Sequence, residues 1–388
     1  MAFIPYGKQW IDDEDIQSVV ETLTSDYLTT GPKVAEFEKA VANYCGARYG
    51  VAVSNGTAAL HIASLALLEP GDKVLTTPNS FMATSNAICY TGAQPIFIDI
   101  QPNGNINLDL CEEALKKDPS IKALYAVHFS GNPVEQERLA DIKERYGITI
   151  LEDCAHSIGA NYQGIKAGSC HYSDASIFSF HPVKHITSAE GGMVMTNDEK
   201  LYQRLLRLRN HGMKREAFSN TTMAFDEKGN INPWYYEIDE LGFNYRLTDL
   251  QCALGLSQLS KLDHFVARRR ELARHYDQAF AHHPIVKPLY TFNGHSSYHL
   301  YVLLVDFDQL SITKAELFYK MREKGIGLQL HYIPINKLPY YQKLGYGNEE
   351  TPVMDNYYQQ CLSLPLYPKM SDEEQSFVIN TLREVLHG

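Results

Sequence analysis

YGVAVSNGTAALHIASLALLEPGDKVLTT, residues 49–77, decides the fold. A β-branched run from Tyr49 to Val53 meets a turn at Gly56 and Thr57, apolar residues then recur at helical spacing, and a Pro-Gly turn leads into a second apolar run ending at Thr77. Strand, helix and strand in that order make one crossover unit of a parallel sheet. The pattern continues to about residue 200, with strands expected at QPIFIDI, IKALYAV, ITILED, ASIFSF and GMVMTN and helices at MATSNAICY and VEQERLADIKERYG. This half reads as an α/β layer structure around a mixed, mainly parallel sheet with helices on both faces.

Residues 214–240 are rich in polar and turn residues without a sustained period, which predicts a long loop. TDLQCALGLSQLSKLDHFVARRRELARHYDQAF, residues 248–280, then reads as one long helix with Thr248 as N-cap and Asp249 in its first turn. Strands near SSYHLYVLLVD and GIGLQLHYI, with helices near TKAELFYKMREKG and DEEQSFVINTLREVL, suit a smaller α+β unit. The expected division is a large α/β domain over 1–247, followed by the linking helix and a small domain over 248–388.

Composition narrows the function. A net charge of -11 argues against a nucleic-acid partner, which needs a basic surface. No stretch stays apolar for the ~18 residues of a membrane span, and MAFIPYGKQWIDDED lacks a basic segment followed by an apolar run, so a cytoplasmic location is expected. The seven cysteines never form a C-x-x-C pair, and the fifteen histidines show no H-E-x-x-H spacing. Neither a disulfide framework nor a metal site is expected. Any anionic ligand must be met by backbone amides, helix N-termini or a few placed side chains.

Four segments carry chemistry. In SNGTAALH, residues 54–61, the amides of Gly56 and Thr57 open a helix and can hold a phosphate, although such turns also arise from packing alone. ITILEDCAHS places Asp153 at the carboxyl end of a strand, where ligands of α/β sheets bind. Asp153 either caps a following helix or pairs with a cationic ring nitrogen; His156 either orients that carboxylate or fills the core. ASIFSFHPVKHITSAEGGMVMTN, residues 175–197, embeds Lys184 between apolar strands with Ser179 just before it. Lysines mostly sit on solvated faces, and one drawn into a cleft acquires a lowered pKa and can attack a carbonyl. In ELGFNYRLTDLQCALGLSQL, Asn244 and Arg246 either order their loop or reach an anion in a neighbouring subunit.

These segments, with LTTGPKVAEFE, TTPNSFMATSNAI and the late HYIPI, resemble in order the DegT/DnrJ/StrS family over nearly the whole chain. That family is the sugar-nucleotide branch of the fold-type I, aspartate aminotransferase-like, pyridoxal-phosphate enzymes. The resemblance implies that Lys184 carries pyridoxal 5'-phosphate (PLP) and shuttles the proton, and that Asp153 pairs with the ring nitrogen. Phe81 would stack on the ring, His156 would sit beside it, and Gly56, Thr57 and Ser179 would hold the phosphate. Asn244 would come from the partner subunit of a homodimer. Substrate contacts would fall at Tyr6, at Asp26, Tyr27, Leu28 and Thr29, and at Leu330, His331, Tyr332 and Ile333. GDKVLTTPNSFMATSNAI, SFHPVKHIT, HGMKR and SSYHLY are further similar to members that take the amino group of L-glutamate to C4 of a UDP-linked 4-keto-6-deoxy-N-acetylhexosamine, on the way to pseudaminic acid. Alternative substrates are the nucleotide keto sugars of perosamine, legionaminic acid or 4-amino-arabinose type. Gly56 departs from relatives that carry a bulkier residue there, and His185 receives no role. Two rivals are a sugar dehydratase, against which a lysine rather than histidine at position 184 argues, and a non-catalytic cofactor-binding regulator.

Overall fold

The computed structural model describes residues 3–387. Strands β1 (Tyr49–Val53), β2 (Lys73–Thr76), β3 (Gln94–Phe97), β4 (Ile121–Val127) and β5 (Thr149–Asp153) are followed by a small hairpin, β6 (Asn161–Tyr162) and β7 (Ile165–Lys166), and then by β8 (Ala175–Ser179) and β9 (Gly192–Thr196). All except the hairpin join one sheet in the order β1-β9-β8-β5-β4-β2-β3. Only β9 runs against its neighbours; the other pairings are parallel. The mainly parallel sheet read from the sequence is therefore present.

Residue alternation assigns the two faces. Val51, Val53, Tyr125, Leu151 and Ile177 pack beneath helices Gly56–Leu67, Ala83–Tyr90 and Glu199–Arg209. Ala52, Phe178 and Met193 pack with helices Pro32–Cys45 and Asp249–Ser260 through Phe37 and Cys252. Leu75, Leu124 and Ile150 continue that second face under helices Leu108–Lys117 and Gln136–Tyr146. With every strand but β9 pointing the same way, their carboxyl ends share one edge, which is where a doubly covered sheet leaves room for ligands.

Three expectations change. The 214–240 loop carries a ribbon, β10 (Met213–Lys214) with β11 (Glu237–Ile238), and a one-turn helix, Thr221–Ala224. The long helix is two, Asp249–Ser260 and Leu262–Phe280, parted at Lys261, whose amine bonds Asp12 and lies 3.0 Å from Asp15. GIGLQLHYI is not a strand; it touches its neighbours through single bridges, Ile4 with Ile326 and Gln329 with Ser363. The last sheet instead comprises β12 (Val286–Pro288), β13 (Tyr301–Val305) and β14 (Cys361–Leu364), all antiparallel. Its core, with Leu303, Leu362, Tyr276 and Leu382, also takes in Ile4 from the start of the chain.

Candidate active site

A cavity of about 990 Å³ opens at the carboxyl ends of the strands, lined among others by Gly56, Thr57, Phe81, Thr84, Asp153, His156, Ser179 and Lys184, and by Tyr6 and Leu330, His331, Tyr332 and Ile333 from the far wall. On one side, helix Gly56–Leu67 begins with Asn55 as N-cap, its side chain accepting from the Ala58 amide at 2.8 Å. The amides of Gly56 and Thr57 precede that bond and have no partner within the helix, so the positive end of the helix faces the cavity. Glycine lets the two segments close up in this chain: a Cβ on Gly56 would stand 2.9 Å from the Cβ of Ser179, and one of the two would have to shift. One on Gly192 would stand 2.3 Å from the Asn55 carbonyl oxygen. Two glycines thus bring the helix start against the end of β8, and the Ser179 hydroxyl beside the free amides. Free amides beside a hydroxyl at a helix N-terminus can hold a phosphate.

Asp153 ends β5 and is buried, 5% exposed. It caps no helix. One carboxylate oxygen accepts from the Ala155 amide at 3.1 Å and the other from the Thr84 hydroxyl at 2.7 Å. Thr84, rather than His156, orients the carboxylate. His156 Nε2 instead pairs with the Tyr332 hydroxyl at 3.0 Å, the two rings lying 21° from parallel. His156 Nδ1 is buried without a partner, a polar atom left for a ligand or water. Burial, then the charges of Lys184, His331 and His185, hold the His156 pKa well below the usual 6.5, so this imidazole is neutral.

Lys184 sits between β8 and β9, its amide donating to the His181 carbonyl at 2.9 Å. Burial lowers its pKa from 10.5 to about 8, with Asp153 opposing and Arg269 assisting. The amine is thereby available as a nucleophile near neutral pH. Phe81, 53% exposed, stands at the mouth with its ring 6.3 Å from that of Tyr332.

Not every expected residue is here. Asn244 is exposed, its backbone paired with Asn210, and it does not line this cavity. Asp26, Tyr27, Leu28 and Thr29 are likewise exposed and outside it; Leu28 and Thr29 pair with the backbone of Asp249 and Thr248. Arg246 donates to the side chain of Asn210, which ends helix Glu199–Arg209. The structure adds Thr84 and also His299, whose ring lies 4.4 Å from that of His156. His185 is buried and faces the Ser297 carbonyl at 3.1 Å, away from the cavity lining.

A nucleophilic lysine, a strand-end aspartate, a neutral histidine with a vacant nitrogen and an amide-rich phosphate cradle fit a pyridine aldehyde phosphate. Fold and site together fit a PLP enzyme. The chain belongs to the DegT/DnrJ/EryC1/StrS aminotransferase family, whose model matches residues 9–383. It is 39% identical to the spore coat polysaccharide biosynthesis protein SpsC of Bacillus subtilis, covering 100% of this chain and 98% of that one. It is 38% identical to the UDP-4-amino-4,6-dideoxy-N-acetyl-β-L-altrosamine transaminase of Campylobacter jejuni, over 99% and 97% of the two chains. Among solved structures, Helicobacter pylori PseC, an aminotransferase of pseudaminic acid biosynthesis, superposes with a TM-score of 0.90 at 30% identity over 99% of each chain. A Streptococcus pneumoniae protein described as a sugar aminotransferase, in its PLP form, gives 0.87 at 28% identity, again over 99% of each. The fold-type I architecture and the aminotransferase class read from the sequence both stand.

Proposed function

We propose that this enzyme moves the amino group of L-glutamate to C4 of a UDP-linked 4-keto-6-deoxy-N-acetylhexosamine, giving UDP-4-amino-4,6-dideoxy-N-acetyl-β-L-altrosamine for pseudaminic acid. The observation that carries the reading is the meeting of Lys184, Asp153 and the Gly56–Ser179 cradle in one cavity, joined by likeness to the C. jejuni and H. pylori enzymes. The cofactor is PLP. When bound, it supplies an aldehyde that exchanges the amino group and a ring that withdraws electrons from the reacting carbon. Lys184 Nζ would hold it and, once displaced by the amine of the donor, would be free to take the proton from the donor α-carbon and, in the return half, to give one to C4 of the sugar. The carboxylate of Asp153, held by Thr84 and the Ala155 amide, keeps a proton on the ring nitrogen. Gly56, Thr57 and Ser179 bind the phosphate, Phe81 covers the ring, and the wall from Leu330 to Ile333 with Tyr6 meets the sugar nucleotide.

We further propose a homodimer in the cytoplasm, in which Asn244 and the segment from Asp26 to Thr29 complete the partner's cavity. Their exposure in the single chain supports this, as do the bare apolar side chains of Tyr27, Leu28, Trp234 and Leu241. Among the described residues no helix is long and apolar enough to cross a membrane. A second reading, another nucleotide keto sugar, is favoured by the B. subtilis relative, whose name gives spore coat polysaccharide biosynthesis and no particular sugar.

An absorbance spectrum tests both. L-Glutamate should remove the visible-edge band of the bound cofactor, and the UDP-linked 4-keto-6-deoxy-N-acetylhexosamine should restore it. Bleaching without restoration keeps the aminotransferase and discards this sugar. Absence of any band after PLP is supplied overturns the cofactor site itself.

A further inference from the structure

Glu152 precedes Asp153 on β5, and its side chain therefore leaves the sheet on the face opposite the cavity. It is buried, 2% exposed, and accepts three hydrogen bonds: from His128 Nε2 at 3.1 Å, from Gln136 Nε2 at 2.5 Å and from Ser173 Oγ at 2.7 Å. Burial raises its pKa, yet His128, Ser173 and Gln136 outweigh that and the net direction is down, so the acid is a carboxylate in the core. Transamination does not require this carboxylate. A buried, hydrogen-bonded carboxylate adds little to stability compared with an apolar side chain of the same volume, so a purely packing role gives no reason for it.

The geometry of His128 supplies a reason. This residue follows β4 and is fully buried. Its amide donates to the Asp153 carbonyl at 3.1 Å, its Nε2 faces Glu152, and its Nδ1 lies 3.2 Å from the Ser157 hydroxyl. Glu152 comes immediately before Asp153, and Ser157 immediately after His156. A single imidazole thus grips the chain on the outer side of both cavity residues and, through its own amide, the peptide of Asp153 itself.

We infer that His128 and Glu152 are positioning residues, which fix the Asp153 carboxylate and the His156 ring against the cofactor from the far side of the sheet. This rests on the PLP site proposed above. The arrangement is the organic counterpart of the outer hydrogen bonds that orient metal ligands, whose loss typically costs about 10- to 100-fold in affinity or activity.

The test uses Glu152→Gln, Ser157→Ala and the exchange variant Glu152→Gln with Gln136→Glu, which returns a carboxylate and an amide to the network with their places swapped. PLP dissociation constants, the pH profile of bound-cofactor absorbance and melting temperatures are measured for each and for the wild type. Glu152→Gln should bind PLP about ten-fold more weakly and shift the pH profile, and the exchange variant should recover both. Ser157→Ala, a small change that keeps the fold if Glu152→Gln does not, should shift the pH profile with little effect on melting. If the variants melt earlier yet hold PLP within about two-fold of wild type with an unmoved profile, or if the exchange recovers nothing, the network only supports the core and the inference is wrong. A wild-type protein that takes up no PLP overturns the function proposed above and this inference with it; normal uptake by wild type and all variants overturns this inference alone.

Discussion

Replacing Lys184 by Met removes an amine that the cofactor-free protein holds at a cost. Burial, with Arg269 assisting and Asp153 opposing, lowers its pKa from 10.5 to about 8. At about 1.4 kcal/mol per pH unit, keeping the charged amine in place costs up to roughly 3 kcal/mol. Below pH 8 the folded and unfolded chains both carry the proton and the whole cost is felt. Between 8 and 10.5 the folded chain has released the proton while the unfolded chain keeps it, so wild-type stability rises with pH and the cost shrinks toward zero. Lys184→Met apo-protein should therefore be more stable than wild type near pH 7, by roughly 1–3 kcal/mol once partial contact with solvent is allowed for. The advantage should fade toward pH 10.5. Urea unfolding of both apo-proteins across this range reads the difference directly. An advantage absent near neutral pH, or one that stays constant with pH, would refute the claim that Lys184 is desolvated and with it the basis of its nucleophilicity.

Gly56→Val would place a side chain where even a Cβ would stand 2.9 Å from Ser179; PLP affinity measured by absorbance titration should fall by about ten-fold or more, and unchanged binding would remove this turn from the phosphate site. If Asn244 serves the partner's cavity, mixing Lys184→Ala and Asn244→Ala chains should yield hybrid dimers with one intact site, recovering roughly a quarter of wild-type turnover after random reassociation; no recovery would confine each site to one chain.

The seven strands of the main sheet were legible because each is a short apolar run between turn residues, most of it buried. Lys184 and Asp153 stand out in the sequence because a charged residue between apolar strands, or at the end of one, contradicts its apolar surroundings. Thr84 carried no such signal: a threonine in MATSNAICY is ordinary helix sequence, and only the fold brings it to Asp153. The break at Lys261 was equally silent, since SQLSKLD contains no glycine or proline and the interruption coincides with tertiary bonds from that lysine to Asp12 and Asp15. GIGLQLHYI has the composition of a strand, but it forms one wall of the cavity and makes only single bridges. Glu152 lies within the expected strand ITILED and His128 just past IKALYAV, and their pairing depends on the register of β4 against β5.

The pairing of Ile4 with residues near Ile326 bears on how the chain matures during translation. The Ile4 amide donates to Gly325 and its carbonyl accepts from Gly327, both at 2.8 Å, while the Leu366 amide donates to Tyr6 at 3.0 Å. Ile4 leaves the ribosome long before any of these partners exists, and at about 5–20 residues per second the wait is on the order of tens of seconds. The α/β sheet can assemble in that interval, but Tyr6 reaches the cavity wall only when nearly the whole chain has emerged. A nascent chain stalled short of residue 325 would thus carry Lys184 and Asp153 without the wall that Tyr6 and Gln329 to Ile333 give the cavity, so the cavity stays open on that side until synthesis is nearly over.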